Sequence, residues 1–392
     1  MDAADLRELF TSEALRLLDT LPESDSPADA VALVSALRKE GHSAARVAAV
    51  LTQYRLRRKA RAKFGPFADR MLFTEAGLEQ ASRLRVAAQH AGRFARAGLT
   101  RVADLGCGVG GDALALSSLD LAVTAVERDS VTAAVAGYNL APFPNASVVN
   151  ADIADIDLAD VDALWLDPAR RSGARKFSRP DDWSPSLEVA LDLSRRLPTG
   201  IKLAPAMDRG LIPDGHEAQW VSDGGDVVEV VLWSGALARD GIRRAALVLA
   251  GDGSAHELTA AADSADEKMG SLGEYLYEPD GAVIRARLIG DLARSLDARP
   301  VHPTIAYLSS DHLMPTPFAA AFRVRETWPL KKAVIARGLA ERGIGTVEIK
   351  KRGVDIDPAE FRKALKPKGD ASATLILTRV GAERVALLVD RV

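Results

Sequence analysis

The sequence predicts an α/β chain in which a Rossmann-like sheet of seven mostly parallel strands follows a helical N-terminal domain and precedes a small α+β C-terminal domain. Three observations predict it. A glycine-rich turn joins the short apolar run Val102-Ala103 to the apolar helix start Ala113-Leu114-Ala115-Leu116, the opening of a βαβ unit. From 101 to about 250, short apolar runs alternate with helical periods, the mark of a doubly wound parallel sheet. Outside that span the pattern changes, to almost all helix before it and to βαβαββ order after it. The expected domains are 1–97, 98–250 and 322–392, with 251–321 a linker and connecting α/β segment.

In the first domain Leu6, Leu9, Phe10, Leu15, Leu17 and Leu18 can share the apolar side of one helix. A Ser-, Asp- and Glu-rich connector bounded by Pro22 and Pro27 follows, then alanine-rich helices at 28–40, 43–62 and 74–97. Strands are expected at 102–105, 122–126, 147–149, 163–166, 201–203, 227–232 and 245–249. A helix at 185–197 has Ser184 placed to cap it and Pro185 in its first turn. The acidic stretch 251–267 reads as a loop. Residues 275–321 read as a strand at 282–287, a helix at 288–296 and proline-broken segments without a fold of their own. The last domain reads as strand 322–327, helix 330–342, strand 346–349, helix 358–365 and strands 374–378 and 384–389.

With 47% hydrophobic and 27% charged residues, the composition is that of a globular protein. A single cysteine, Cys107, excludes an internal disulfide and fits a reducing compartment. The N-terminus lacks the basic region and apolar core of a signal peptide, and no apolar run approaches the ~20 residues of a spanning helix. A cytoplasmic protein with no membrane association and no obligate protein partner is expected. The net charge of −3 hides an asymmetry: residues 1–100 carry +4, residues 101–321 carry −14 and residues 322–392 carry +7. A polyanionic partner would therefore dock on the ends. The six histidines show no metal-ligand spacing, so no metal is expected.

The turn itself reads Asp104-Leu105-Gly106-Cys107-Gly108-Val109-Gly110-Gly111-Asp112. Gly106, Gly108 and Gly111 fit the dinucleotide pattern G-x-G-x-x-G. Gly106, Gly108 and Gly110, led by Asp104, fit the D-x-G-x-G-x-G loop that holds S-adenosylmethionine (SAM). An acid beside the loop suits the cationic methionine end of SAM and repels a pyrophosphate. Glu127, 21 residues after Gly106, stands where an acid meets ribose hydroxyls with either cofactor. Asp152, just past the third strand, can accept from an adenine amine, with Ala151 or Ile153 against the ring.

The fourth strand leads into Asp167-Pro168-Ala169-Arg170-Arg171, at the strand ends where open α/β sheets bind ligands. Asp167 and the Pro168 carbonyl can orient an acceptor amine, and Arg170 and Arg171 can meet a phosphate or a base edge. Residues 55–63, Arg57 and Arg58 among them, hold six cations in nine positions. That pattern fits a phosphate-facing surface and a solvated basic helix equally. Lys350, Lys351 and Arg352 form a second basic run, with Lys363, Lys366 and Lys368 nearby in sequence.

On residues 104–112, Glu127, Asp152 and 167–171, the span 95–250 resembles a class I SAM-dependent methyltransferase. Residues 343–353 and 373–379 resemble the THUMP-like domain found after such cores, in a family linked to RNA modification. The resemblance implies SAM as cofactor, held by Asp104, Gly106, Gly108, Gly110, Glu127 and Asp152. It implies Asp167, Pro168 and Arg170 as catalytic residues and an RNA substrate, tRNA or rRNA, methylated on a base nitrogen. Enzymes of that chemistry carry D/N-P-P and an aromatic that stacks on the base. Here Ala169 and Arg170 replace the last two, leaving Trp165, Phe177 or Trp183 to provide a stacking face. The D-P-x-R form is also similar to enzymes that methylate uridine at C5 through a cysteine nucleophile. The one cysteine lies in the cofactor loop, which argues against that route. A small-molecule or protein methyltransferase, an RNA-binding protein with a degenerate core and an NAD-dependent oxidoreductase are the alternatives.

Overall fold

The computed structural model of the chain describes residues 2–22, 27–168, 171–172, 175–176 and 183–392. The chain forms two compact units, one of Met1–Leu203 with Leu232–Ala238, the other of Ala204–Val231 with Arg239–Val392.

The first unit opens with helices. The single N-terminal helix expected from the leucine pattern is two, Ala3–Leu9 and Ser12–Thr20, because Thr11 caps the second through the Ala14 N–H. Residues 23–26 of the connector lie outside the described residues. Pro27–Lys39 and the 21-residue helix Ala44–Phe64 follow. Gln53, buried in the latter, donates to the Phe73 carbonyl at 2.7 Å and accepts from the Phe73 N–H at 3.0 Å. The helix expected at 74–97 is also two, Glu75–Gln80 and Leu84–Arg96. The first ends where Lys63 Nζ donates to the carbonyls of Leu78, Glu79 and Ala81, satisfying groups a helix terminus leaves open.

The strand Arg101–Leu105 is central, with Ala122–Val126 on one side and Ala163–Leu166 on the other. Ala146–Val149 extends the first side and Thr199–Leu203 the second, and every pairing is parallel. The chain thus builds outward one way, returns to the centre and builds the other way. The loops after Arg101–Leu105 and Ala163–Leu166 diverge, and a crevice opens at their carboxyl ends. Gly111–Ser117, Ser130–Leu140 and Leu187–Arg196 are helical crossovers. The last starts later than the sequence suggests, capped by Ser186 through the Val189 N–H.

An aromatic cluster closes this core. The Trp165 ring lies 4.4 Å from His90, 5.8 Å from Trp233 and 6.3 Å from Phe94. Arg93 covers Trp233 at 4.7 Å and donates through Nε and Nη2 to the Leu237 carbonyl. Gly200 makes the packing possible: a Cβ there would stand 2.6 Å from the Trp233 ring and 2.7 Å from the Trp165 ring.

In the second unit, Glu217–Asp223 pairs in parallel with Arg244–Leu249, which pairs antiparallel with Ala255–Ala260. Sequence pattern misses the first of these because Glu217, Gln219, Ser222 and Asp223 interrupt its apolar run, yet all four are buried. Arg239 bridges Glu217 and Glu257 and satisfies the acids. Ala255–Ala260 falls in the stretch expected to be a loop, and its half-buried side chains accommodate His256 and Glu257. The strand expected at 282–287 is instead the helix Gly281–Arg285, capped by Asp280 through the Ala282 N–H. The six C-terminal elements match expectation, and the four strands among them join a seven-stranded sheet. Its order is Arg299–His302, Ile305–Ser310, Tyr275–Pro279, Ala319–Pro329, Glu383–Arg391, Ala371–Val380 and Ile344–Lys351. The span 275–310, which pattern alone leaves without a fold, therefore contributes three strands. Helices Lys332–Glu341 and Pro358–Leu365 bury Ile335, Leu339 and Leu365 among Trp328, Ile349 and Leu388.

The Gly200→Ala variant is expected to lower stability by about 1–3 kcal/mol through overpacking, read as a melting temperature several degrees lower and altered tryptophan fluorescence. An unchanged melting curve would contradict the packing role of Gly200.

Candidate active site

A cavity of about 880 Å³ lies at the carboxyl ends of the parallel strands of the first unit. It is lined by Asp104, Gly106, Gly108, Glu127, Asp152 and Asp167, six residues scattered over more than sixty positions of sequence. Gly110 is not among the residues that line the cavity, and a Cβ there would stand 3.4 Å from Leu140.

The loop's shape follows from its glycines. Gly106 and Gly108 have φ of 92° and 55°, a region L side chains enter only under strain. The N–H groups of Gly106 and Cys107 both donate to the Val126 carbonyl, at 2.9 and 3.0 Å, which folds the loop over the second strand. A Cβ on Gly108 would meet nothing within 4 Å, so the loop presents bare backbone beside open space. Glu127 is fixed from beneath: Oε2 accepts from the Gly108 N–H at 3.2 Å and Oε1 from the Asp129 N–H at 2.9 Å. Asp152 is exposed and caps the next turn through the Ala154 N–H.

Three carboxylates converge, and two have partners. Asp112 accepts from Ser82 Oγ at 2.8 Å and lies 2.9 Å from His90 Nδ1. Burial alone would raise its pKa, but the hydrogen bond and charge of His90, with Lys202 and Ser82, hold it below the usual carboxylate value. Asp167 Oδ2 accepts from Lys202 Nζ at 2.6 Å. Asp104 is 1% exposed, and neither of its oxygens has a hydrogen-bond partner among the described residues. Burial, then the charges of Asp112 and Asp167, push its pKa well above the usual value. Sequence pattern assigns no role to His90 or Lys202, and none to Asp112 beyond its place at the end of the glycine turn. The available signal for Lys202 is a lone cation between Ile201 and Leu203 at the end of the fifth strand.

Other expected residues fare differently. Pro168 is buried beside Asp167, while Ala169, Arg170 and Phe177 lie outside the described residues. Trp165 is not a stacking face: it is 1% exposed, with its ring against His90. Trp183 is half-buried, its Nε1 enclosed without a partner among the described residues. Burial pushes the Cys107 thiol well up from its usual pKa, which suits a packed loop side chain and not a nucleophile. Arg57, expected on a phosphate-facing surface or a solvated basic helix, is buried instead. Its Nε donates to the Met71 carbonyl and Nη1 to Asp19. Arg58 is half-buried over the Tyr54 ring. Lys350 donates to Glu278 at 2.7 Å, Arg352 lies over the Tyr307 ring, and Lys351 is exposed.

The donor set favours a cationic ligand. A buried carboxylate with open lone pairs gains from a positive charge, and a pyrophosphate would face three acids across the same space. Glu127 offers fixed lone pairs for paired hydroxyls. The arrangement fits SAM and opposes a dinucleotide. Among the described residues no cluster of His, Cys, Asp or Glu is able to hold a metal ion, and no helix is long and apolar enough to cross a membrane.

The Asp104→Asn variant is expected to bind SAM at least tenfold more weakly yet to melt higher when ligand-free. A carboxyl whose pKa is raised by folding destabilises the fold as pH climbs from about 4 through its folded value. The variant's advantage in melting temperature should therefore grow with pH across that window; a constant difference would contradict the assignment.

Comparison with known proteins agrees with this geometry. Residues 319–391 match the family model described as THUMP domain-like, and residues 2–60 match a domain of unknown function (DUF8688). The crystal structure of a methyltransferase candidate from Porphyromonas gingivalis W83 superposes with a TM-score of 0.72 at 21% identity, covering 99% of this chain and 97% of that one, a likeness of fold. Two curated proteins from two strains of Mycobacterium tuberculosis, each described as an uncharacterized S-adenosylmethionine-dependent methyltransferase, are 32% identical over 335 residues, 83% of this chain and 91% of theirs. At that identity over that span, the chain belongs to their family, the S-adenosylmethionine-dependent methyltransferases.

Proposed function

We propose that the protein binds SAM in the 880 Å³ cavity and transfers its methyl group to a base nitrogen of RNA, either tRNA or rRNA. The observation that carries the reading is the meeting of Asp104, whose buried oxygens have no hydrogen-bond partner among the described residues, and Asp167 in one cavity at the strand ends. When bound, SAM supplies an electrophilic methyl on a cationic sulfur. Asp104 would face its positive charge, Glu127 its ribose hydroxyls and Asp152 its adenine amine.

Asp167 acts by orientation. Its ion pair with Lys202 sets the direction of the carboxylate, and it holds an acceptor N–H by a hydrogen bond while the Pro168 carbonyl provides a second acceptor. The departing proton goes to water. RNA as substrate is supported by the THUMP domain-like match at 319–391 and by the net +7 of residues 322–392. With Trp165 enclosed, the target base must be steadied by other groups than that ring. A chain with one cysteine suits work in the reducing cytoplasm.

The test is methyl transfer from labelled SAM to RNA of a strain lacking the protein, followed by mass spectrometry of the nucleosides. One N-methylated nucleoside absent from that strain and restored by the protein is expected. Asp167→Ala should cut transfer by about 10²-fold or more while SAM affinity stays within about threefold. RNA left unmethylated, with SAM binding intact, would redirect the reading to a small molecule or a protein.

A further inference from the structure

The pairing register sets Leu166 beside Ile201, so the next residues, Asp167 and Lys202, emerge as lateral neighbours where the two strands end. Lys202 Nζ stands 2.6 Å from Asp167 Oδ2 with its side chain 12% exposed, and it also donates to the Gln80 carbonyl at 3.2 Å. A long side chain is thereby anchored on the Gln80 backbone carbonyl while it pairs with Asp167. The same ammonium helps to hold the pKa of Asp112 down and partly offsets the burial and like charges that raise that of Asp104. Lys63, the next cation, is turned onto three helix-end carbonyls; burial, then the charges of Lys202 and Arg83, bring its pKa down to about 8. Without Lys202, Asp167 would lose its direct ion-pair partner beside the carboxyl of Asp104, with the Lys63 ammonium still acting on it, and the contact that sets its direction would be gone.

We propose that Lys202 is a positioning residue for methyl transfer, holding the Asp167 carboxylate in the one orientation that presents it to the acceptor N–H. The proposal rests on the role given to Asp167 above. A merely structural ion pair would affect melting and little else. A positioning role separates turnover from binding and ties turnover to pH.

The test compares full-length wild type with Lys202→Met and Lys202→Arg, using whichever acceptor the wild type methylates. In Lys202→Met, kcat should fall about 10–100-fold at neutral pH, with SAM affinity and acceptor KM within about threefold. The acid limb of its kcat profile should move to higher pH, and Lys202→Arg should recover most of the loss. Lys202→Gln carries the same expectation should the methionine variant fail to fold. Unchanged turnover, or a loss equal at every pH that follows the melting temperature, overturns the proposal. Carbon NMR of the Asp167 carboxyl needs no acceptor: it should titrate at higher pH without Lys202, and an unmoved titration overturns the proposal whatever the substrate is. A wild type inert on RNA, with that titration displaced, counts against the RNA reading alone.

Discussion

The site depends on a buried carboxyl group, Asp104, whose oxygens are enclosed without a side-chain hydrogen-bond partner among the described residues. Enclosing an unpaired charge in a protein interior is costly enough that a group usually takes up a proton instead, and Asp104 is in that position. Its neighbours are each provided for, Asp112 by Ser82 and His90, Asp167 by Lys202. The strongest burial of an acid without a direct ion pair among the described residues is thus at one residue beneath the glycine loop. A cationic ligand relieves what the fold leaves unsatisfied, so binding and charge balance become one event. The cost in stability is the usual counterpart of a functional site.

Topology decides where this happens. The strands Arg101–Leu105 and Ala163–Leu166 pair at the point where the chain reverses its direction of building, and their carboxyl ends carry Asp104 and Asp167. The rigidity behind them comes from the packed rings of Trp165, Trp233, Phe94 and His90, which need Gly200 for clearance. His90 serves both layers, stacking on Trp165 and bonding Asp112. Packing and electrostatics therefore meet in one side chain.

The parts legible in the sequence are those that follow from local pattern. The glycine loop, Glu127, Asp152 and Asp167 announce themselves by spacing from one another along alternating strands, and the structure gathers them around one cavity. Pattern fails where tertiary partners override it. Glu217–Asp223 is a strand despite the fully buried Glu217 because Arg239 compensates that acid. The basic run at 55–63 looks like a surface, yet Arg57 and Lys63 close carbonyls inside the helical domain. Lys202 is unremarkable in sequence, since nothing local reveals that its lateral neighbour is Asp167.

The central claim, that Asp104 takes the positive charge of SAM, is tested most directly by calorimetric titration of SAM near neutral pH in buffers of different ionisation enthalpy. Binding that converts a protonated Asp104 to its charged form should release up to about one proton per ligand, and the Asp104→Asn protein should release none. Wild type that binds SAM with no proton exchanged, or a variant that releases as many, would contradict the account.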